Sequence, residues 1–244
     1  MKKFICTVVG IILVFMIVFT IMARSKKDYG FEKVATYEDF IEYANDLNVM
    51  VDYTSASELK DYEDRALGNL ESREGETSIF VVKAGSEFKY YPAGFVQSAQ
   101  IEEVIQGDAG LSGKEITLHR WKGLSIYPDM EEPVYIYTLP GVNVMKPGDR
   151  YLVHCEEAEI SHALSRPFYR IALSPYAVLN LDRDDEHAIS DAETIITKGE
   201  GLEDEEVVAP YRNWTEQEFM GDSDEALEVF LSVKEELLKK YGLR

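Results

Sequence analysis

The chain opens on a run that has no polar face. Phe4–Ala23 gives 20 residues without a charge, preceded by Lys2 and Lys3 and closed by Arg24, Lys26 and Lys27. Twenty residues at the helical rise match the hydrocarbon thickness of a bilayer, whereas a core helix would show a polar stripe. The pattern predicts a transmembrane helix. An uncleaved anchor fits better than a cleaved signal peptide, because the apolar run is long for the latter and Ile21-Met22-Ala23 is a poor small-x-small cleavage site. Cys6 falls too early to be the lipidated cysteine of a lipoprotein signal. Basic residues flank both sides, so they do not set the orientation. A three-residue N-terminus left inside places the bulk of the chain outside the cell membrane, as in a single-pass signal-anchor protein.

The period then changes. After a polar linker, Thr36 reads as an N-cap with Asp39 three residues on. Tyr37, Phe40, Ile41, Ala44 and Leu47 follow at helical spacing. Residues 49–53 suggest a short strand, and Leu59, Tyr62, Ala66, Leu67 and Leu70 a second helical stretch. From Ser78 the alternation becomes that of strands. Ser78–Ala84 (SIFVVKA) is a short apolar strand, and Glu87–Ala93 reads as a tyrosine-bearing connection. The main strand starts at Gly94. Phe95, Ala99, Ile101 and Ile105 face one side, with Gln97 and Glu103 as polar exceptions, and Ser98, Gln100 and Glu102 face the other. Gly107, Gly110 and Gly113 turn the chain into a strand carrying Ile116 and Leu118. Pro133–Leu139, Tyr151–Cys155, Phe168–Leu173 and Tyr176–Leu181 continue the series, with turn signals at Pro140-Gly141 and Pro147-Gly148. Asp222 with Glu225 predicts a second capping box, ahead of an amphipathic helix through Leu227, Phe230, Leu231, Leu238 and Tyr241, with Gly242 as its stop.

The predicted fold class is mainly β (α+β): an N-terminal transmembrane helix, a small antiparallel β-barrel with flanking helices, and a C-terminal amphipathic helix. The expected units are 1–27 as anchor, 28–77 as helical lead-in, 78–197 as barrel domain, and 198–244 as acidic loop and final helix.

Composition and charge narrow the function. Residues 1–27 hold five basic and no acidic residues, which leaves 20 basic against 45 acidic residues, a charge of −25, on the remainder. Such a surface repels phosphate backbones, so nucleic acid is not an expected partner. The two cysteines, Cys6 and Cys155, are too far apart in role to pair. An exported chain without disulfides fits a Gram-positive type of cell surface.

Four stretches carry a resemblance. They are Ile79-Phe80-Val81-Val82, Ala99 to Asp108 (AQIEEVIQGD), Gly113 to Leu118 (GKEITL) and Lys146 to Val153 (KPGDRYLV). Together they resemble the netrin-type OB-fold barrel that is shared with the tissue inhibitors of metalloproteinases. Membrane-anchored bacterial surface proteins of unknown function show the same layout. The resemblance covers roughly residues 78–182 and implies an OB-like barrel whose face and loops form a binding surface. Those inhibitors place an N-terminal cysteine on the catalytic metal. No residue here matches it, so protease inhibition is not carried over.

Chemistry is sparse. His154 and Cys155 are strand neighbours facing opposite sides, which defeats a Cys–His nucleophilic pair. They read as a core cysteine beside a surface or satisfied histidine. His119, His162 and His187 lack zinc spacing. No G-x-S-x-G, Walker or dinucleotide motif occurs. The string from Asp182 to Glu193 (DRDDEHAISDAE) can be counted as a 12-residue calcium loop, with Asp182, Asp184, Glu186 and Glu193 as metal candidates. His187 stands where such loops turn on glycine, and a solvated acidic turn is the plain alternative. Tyr127, Tyr135, Tyr137, Tyr169, Tyr176 and Trp121 crowd the barrel half. An aromatic barrel face can stack sugars or peptide side chains, although half of these rings belong in an ordinary core.

The expectation is a non-catalytic binding or interaction module, held to the membrane by residues 4–23, with a protein or glycan partner and no cofactor. A calcium-stabilised structural domain is the alternative, and a hydrolase using a dispersed acidic pair the third reading. In that third case Glu102 and Glu103 cannot be the pair themselves, since strand neighbours face apart.

Overall fold

The computed structural model describes residues 33–45, 48–51, 59–60, 77–91, 94–121, 125–126, 135–138, 142–157, 166–172, 174–183, 207–213, 215–219 and 224–244. The predicted anchor, the second helical stretch other than Leu59 and Lys60, and most of the acidic string lie outside these residues. None of the described helices is long and apolar enough to cross a membrane.

The order of elements is α1 (Tyr37–Asn45), β1 (Asn48–Val51), β2 (Thr77–Tyr91), β3 (Gly94–Gln106), β4 (Glu115–Trp121), β5 (Ser125–Ile126), β6 (Tyr135–Thr138), β7 (Arg150–Glu157), β8 (Phe168–Ile171), β9 (Val178–Asn180), β10 (Val207–Pro210) and α2 (Asp224–Lys240). Strands β2, β3, β4, β8 and β7 pair in that order, and β7 pairs back onto β2. The result is a closed five-stranded barrel. Its pairs are antiparallel except β4–β8, where Thr117, Leu118 and His119 run parallel beside Phe168, Tyr169 and Arg170. Strand β9 extends the sheet along the other end of β7, and β10-β1-β6-β5 forms a separate small sheet.

Alternation sets the interior. Ala99 lies opposite Ile116, Gln97 opposite Leu118, and Cys155 opposite Ile171. All six are buried, with Phe80, Val82, Val153 and Tyr169 among them. Cys155 is thus a core residue, and burial pushes its thiol pKa far above the ordinary value. Its neighbour His154 points the other way and is also buried, against Tyr241 (ring centroids 5.8 Å apart) beyond the end of α2. It is not a surface histidine, because the C-terminal segment covers that face of β7.

The main departure from the sequence pattern is β2. It does not stop at Ala84 but continues to Tyr91. Ala84 pairs with Ala99 and Phe88 with Gln97, so β2 carries extra residues between two close positions of β3, a bulge at Gly85-Ser86-Glu87. The bulge interrupts the alternation, which is why the sequence beyond it reads as a connection. Past the bulge, β2 has left β7. The N–H of Ala84 donates to Asp149 O (3.0 Å), that of Gly148 to Ala84 O (2.9 Å), and that of Phe88 to Ala35 O (3.0 Å). The turn before β7 and the segment before α1 therefore take over the free edge.

Helix α1 starts as its sequence predicts. Thr36 N–H donates to Asp39 Oδ2 (2.9 Å), and Asp39 N–H to Thr36 Oγ1 (3.1 Å). The reciprocal pair satisfies two donors of the first turn. These bonds, with one from Ala35 N–H, hold the Asp39 carboxyl below its ordinary pKa. Phe40 then packs on Phe88 (4.8 Å) and Tyr211 (5.6 Å), and Phe88 stacks on Phe95 (4.9 Å). This aromatic cluster continues the core past the bulge. Asn143 ties it together: Tyr211 Oη donates to its Oδ1 (2.7 Å) and the buried Arg120 Nη1 to its backbone O (2.8 Å).

Helix α2 buries Ala226, Phe230, Val233, Leu237 and Leu238. Phe230 stacks on Phe219 (4.2 Å) and Tyr176 (5.7 Å). The helix ends in a Schellman motif. Leu243 N–H donates to Leu238 O (2.9 Å) and Gly242 N–H to Lys239 O (3.1 Å), with Gly242 at φ +70°, a conformation that favours glycine. Within the buried stripe lies Lys234, whose Nζ donates to Glu218 Oε2 (2.6 Å) with both side chains almost fully covered. Glu218 also accepts from the N–H of Asn180 in β9 (2.6 Å).

Two predictions follow from this docking. Lys234→Met leaves Glu218 buried without its cation and should lower the stability of the full-length protein by about 3–5 kcal/mol. Adding Glu218→Gln should restore part of the loss, and chemical denaturation of wild type, both single variants and the double variant measures the coupling. The second concerns His154. Burial and the nearby Lys240 cation lower its pKa from 6.5 to about 4. The folded state is therefore harder to protonate than the unfolded one. Its contribution is whole above pH 6.5 and is lost as pH falls toward 4, amounting to about 2 kcal/mol between pH 7 and 5. In His154→Leu that part of the acid-side slope should vanish, whatever the variant's stability at neutral pH. An unchanged slope would refute the assignment.

Candidate functional site

The bulge that extends β2 also shapes the barrel's outer surface. Outward positions of four adjacent strands, Lys89 on β2, Val96 and Ser98 on β3, Thr117 and His119 on β4, and Phe168 on β8, line a groove of about 410 Å³ together with Glu87, Phe88 and Gln97. A second recess of about 350 Å³, lined by Lys83, Ala84, Gly85, Gln100, Gly113 and Glu115, shares Ser98 with the first. The two lie along the same face on either side of the bulge.

One end of this face is apolar and flat. The imidazole of His119 stacks on the ring of Phe168, with centroids 5.6 Å apart and planes at 29°. Partial burial and then the neighbouring Arg170 cation lower the His119 pKa, which favours the neutral imidazole. A neutral ring beside a phenyl ring gives a platform with one donor and one acceptor at its edge. Ser98 and Thr117 add hydroxyls at the centre, opposite each other across β3 and β4.

The rim is charged. Arg166, at the foot of β8, donates through Nη1 to Glu87 Oε2 (2.6 Å) and lies 2.9 Å from Glu115 Oε1. Glu87 stands on the β2 bulge and Glu115 on β4, so one guanidinium spans β3 between the two recesses. Hydrogen bonding to Glu87, then attraction to Glu87 and Glu115, raises the Arg166 pKa. Lys89 lines the first recess and Lys83 the second, while Arg170 lies beside His119 and opposite Glu156.

The floor depends on Gly85. A Cβ there would stand 2.2 Å from Ser98 Oγ and 3.0 Å from Ser98 O. The side chain of Gln97 fixes the other side of the bulge from within, with Nε2 donating to Gly85 O (3.0 Å) and Met145 O (2.8 Å). The polar exception in the β3 pattern is thus the residue that satisfies the bulged backbone.

The residues singled out from sequence fare differently. Tyr169 and Tyr176 are core, Tyr169 edge-on to Phe80 (5.2 Å). Tyr127 lies outside the described residues, as do the side chains of Trp121, Tyr135 and Tyr137. Of the calcium candidates Asp182 alone is described. Its Oδ1 accepts from Arg150 Nε (2.9 Å) and Nη2 (2.7 Å), and its Oδ2 from Arg150 N–H (2.8 Å). These bonds hold its carboxyl below the ordinary pKa despite partial burial. Asp184, Glu186 and Glu193 lie outside the described residues, and no cluster of metal-ligating side chains occurs among those described. Glu102 and Glu103 are both exposed at a second irregularity of β2–β3 pairing. His119 and Phe168 were missed as a pair. They are 49 positions apart in the chain, and only the parallel β4–β8 pairing brings them together. The outward alternation of both strands was the available signal.

Gly85→Ala should cost about 1–3 kcal/mol through overpacking against Ser98, and Ser98→Ala alone far less. The double variant should recover part of the loss, since Ser98 Oγ is the nearest obstacle. Thermal melts of the full-length protein read this out, and strict additivity would deny the contact.

Neither a scan against protein-family models nor a search of curated proteins finds a match for this chain.

Proposed function

We propose that this protein is a non-catalytic binding module of the cell surface, held by a membrane anchor at residues 4–23, whose barrel recognises its partner through the groove over β2, β3, β4 and β8. The observation that carries the reading is the groove itself: a stacked ring pair, central hydroxyls and a charged rim on a closed, rigid barrel. Sites of this kind gain affinity from preformed shape and a few placed polar groups.

The strand order supports an OB-type barrel. Numbered within the barrel, the strands pair 1-2-3-5-4-1 with the third and fifth parallel, and in that fold the face of the second and third strands carries ligands. Here those are β3 and β4, the centre of the groove.

The test is capture from intact cells. Full-length tagged protein carrying a photo-cross-linker at Thr117 should trap a saturable partner at the cell exterior. Capture should fall at least roughly tenfold, about 1.4 kcal/mol, in Phe168→Ala. Undiminished capture in that variant would move the binding surface elsewhere, and labelling only from the cytoplasmic side would overturn the topology.

A further inference from the structure

We propose that the barrel makes a second contact with the membrane: the end carrying Tyr90, Tyr91 and Trp121 docks on the lipid headgroup surface beside the anchor. This rests on the anchored reading above and adds the bilayer itself as a partner of the domain.

The path of the chain carries it first. Thr36 bridges Glu87 antiparallel, and Phe88 N–H donates to Ala35 O (3.0 Å). Traced back from Thr36, the chain therefore runs along the outer edge of β2 in the direction of Tyr90 and Tyr91. Nine residues, 24–32, separate Lys33 from the anchor. Fully extended they reach about 35 Å at most. The end of the barrel that receives this segment is thus the end held near the bilayer. A tether this short keeps that end at a roughly millimolar effective concentration over the lipid, so even a weak surface interaction is populated.

The residues placed at that end suit a headgroup surface. Tyr91 pairs with Gly94 and Gly94 with Trp121, so the two aromatic residues share one cross-strand row with only a glycine between them. Tyr90 stands in the next row, with Phe95 and Arg120. Tyrosine and tryptophan concentrate at membrane interfaces, since each has an apolar body and a polar atom that stays in water. Charge agrees. None of the 45 acidic residues falls in 88–101 or 116–128, the two stretches that contain these rows. The acids that border them are engaged: Glu87 pairs with Arg166, and Asp39 accepts from the N–H groups of Ala35 and Thr36. A chain of formal charge −20 is repelled by anionic lipid. An acid-free end is the part of it that approaches a bilayer at least cost.

The experiment reconstitutes the full-length protein into phosphatidylcholine vesicles whose acyl chains carry bromine either near the headgroup or near the chain end, and reads tryptophan emission. The chain has two tryptophans, Trp121 and Trp214, and residues 4–23 contain neither, so Trp214→Phe makes Trp121 the sole reporter. Its emission should fall roughly twofold or more with bromine near the headgroup and less with bromine at the chain end, the order expected of a ring at the interface. Tyr90→Ser combined with Tyr91→Ser should reduce that quenching, as should a long Gly-Ser insertion after Lys27, which dilutes the end over the lipid. Wild type should be quenched more than Trp121→Phe, which keeps the test decisive if Trp214→Phe folds poorly. Flotation of the same vesicles separates the two readings. Protein that floats with Trp121 emission equal in brominated and plain vesicles would overturn the docking and leave the anchor intact. Stronger quenching from the chain end than from the headgroup end would overturn the surface placement. Protein that does not float would overturn the anchor, and the docking with it.

Discussion

Strand β2 has to serve two neighbours and then bend away from one of them, and the rest of the molecule follows from how it does so. Between Thr77 and Lys83 it is bonded to β7 on one edge and to β3 on the other, which closes the barrel. At Gly85-Ser86-Glu87 the bulge turns it off β7, and β3 alone accompanies it to Tyr91. A buried strand edge cannot be left unpaired, because each orphaned donor or acceptor carries a desolvation cost. The turn before β7 and the segment before α1 meet that demand, and Gln97 meets it from inside. Helix α1 is placed by the same need: Ala35 accepts from Phe88, and Phe40 then falls on Phe88. The groove is the outer surface of this bend. Fold and site are consequences of one irregularity, and Gly85 is the residue that lets two strands approach closely enough to form it.

Charge is organised on two scales. Inside, the Lys234–Glu218 pair sits within an apolar helix face, with Glu218 also accepting from β9. Such a pair adds little net stability over an apolar substitute, but it restricts how the helix can sit, since any slip strands a buried charge. Outside, the chain's formal charge of −20 gives the surface a net negative potential that repels polyanions.

Much of the framework was legible because it is local. The Thr36/Asp39 box, the Gly242 stop and the alternation from Phe95 to Ile101 each depend on residues a few positions apart, and each is found as read. The length of β2 was not legible, because a bulge breaks the period that announces a strand. His154 was misplaced for a related reason. Its alternation puts it outside the barrel, correctly, but only the docking of the C-terminal segment determines that outside is still buried. The site was the least legible part. Tyrosines drew attention by number, while the rings that form the platform are a histidine and a phenylalanine on separate strands. A pairing of distant strands leaves no trace in either segment alone.

Arg166 connects these scales. It sits just ahead of β8, the strand whose parallel pairing completes the barrel, and it reaches back over β3 to Glu87 on the bulge and Glu115 on β4. Exposed ion pairs contribute little to stability, so its value lies in geometry. It ties the outward groups of β2 and β4 to the foot of β8 in one arrangement.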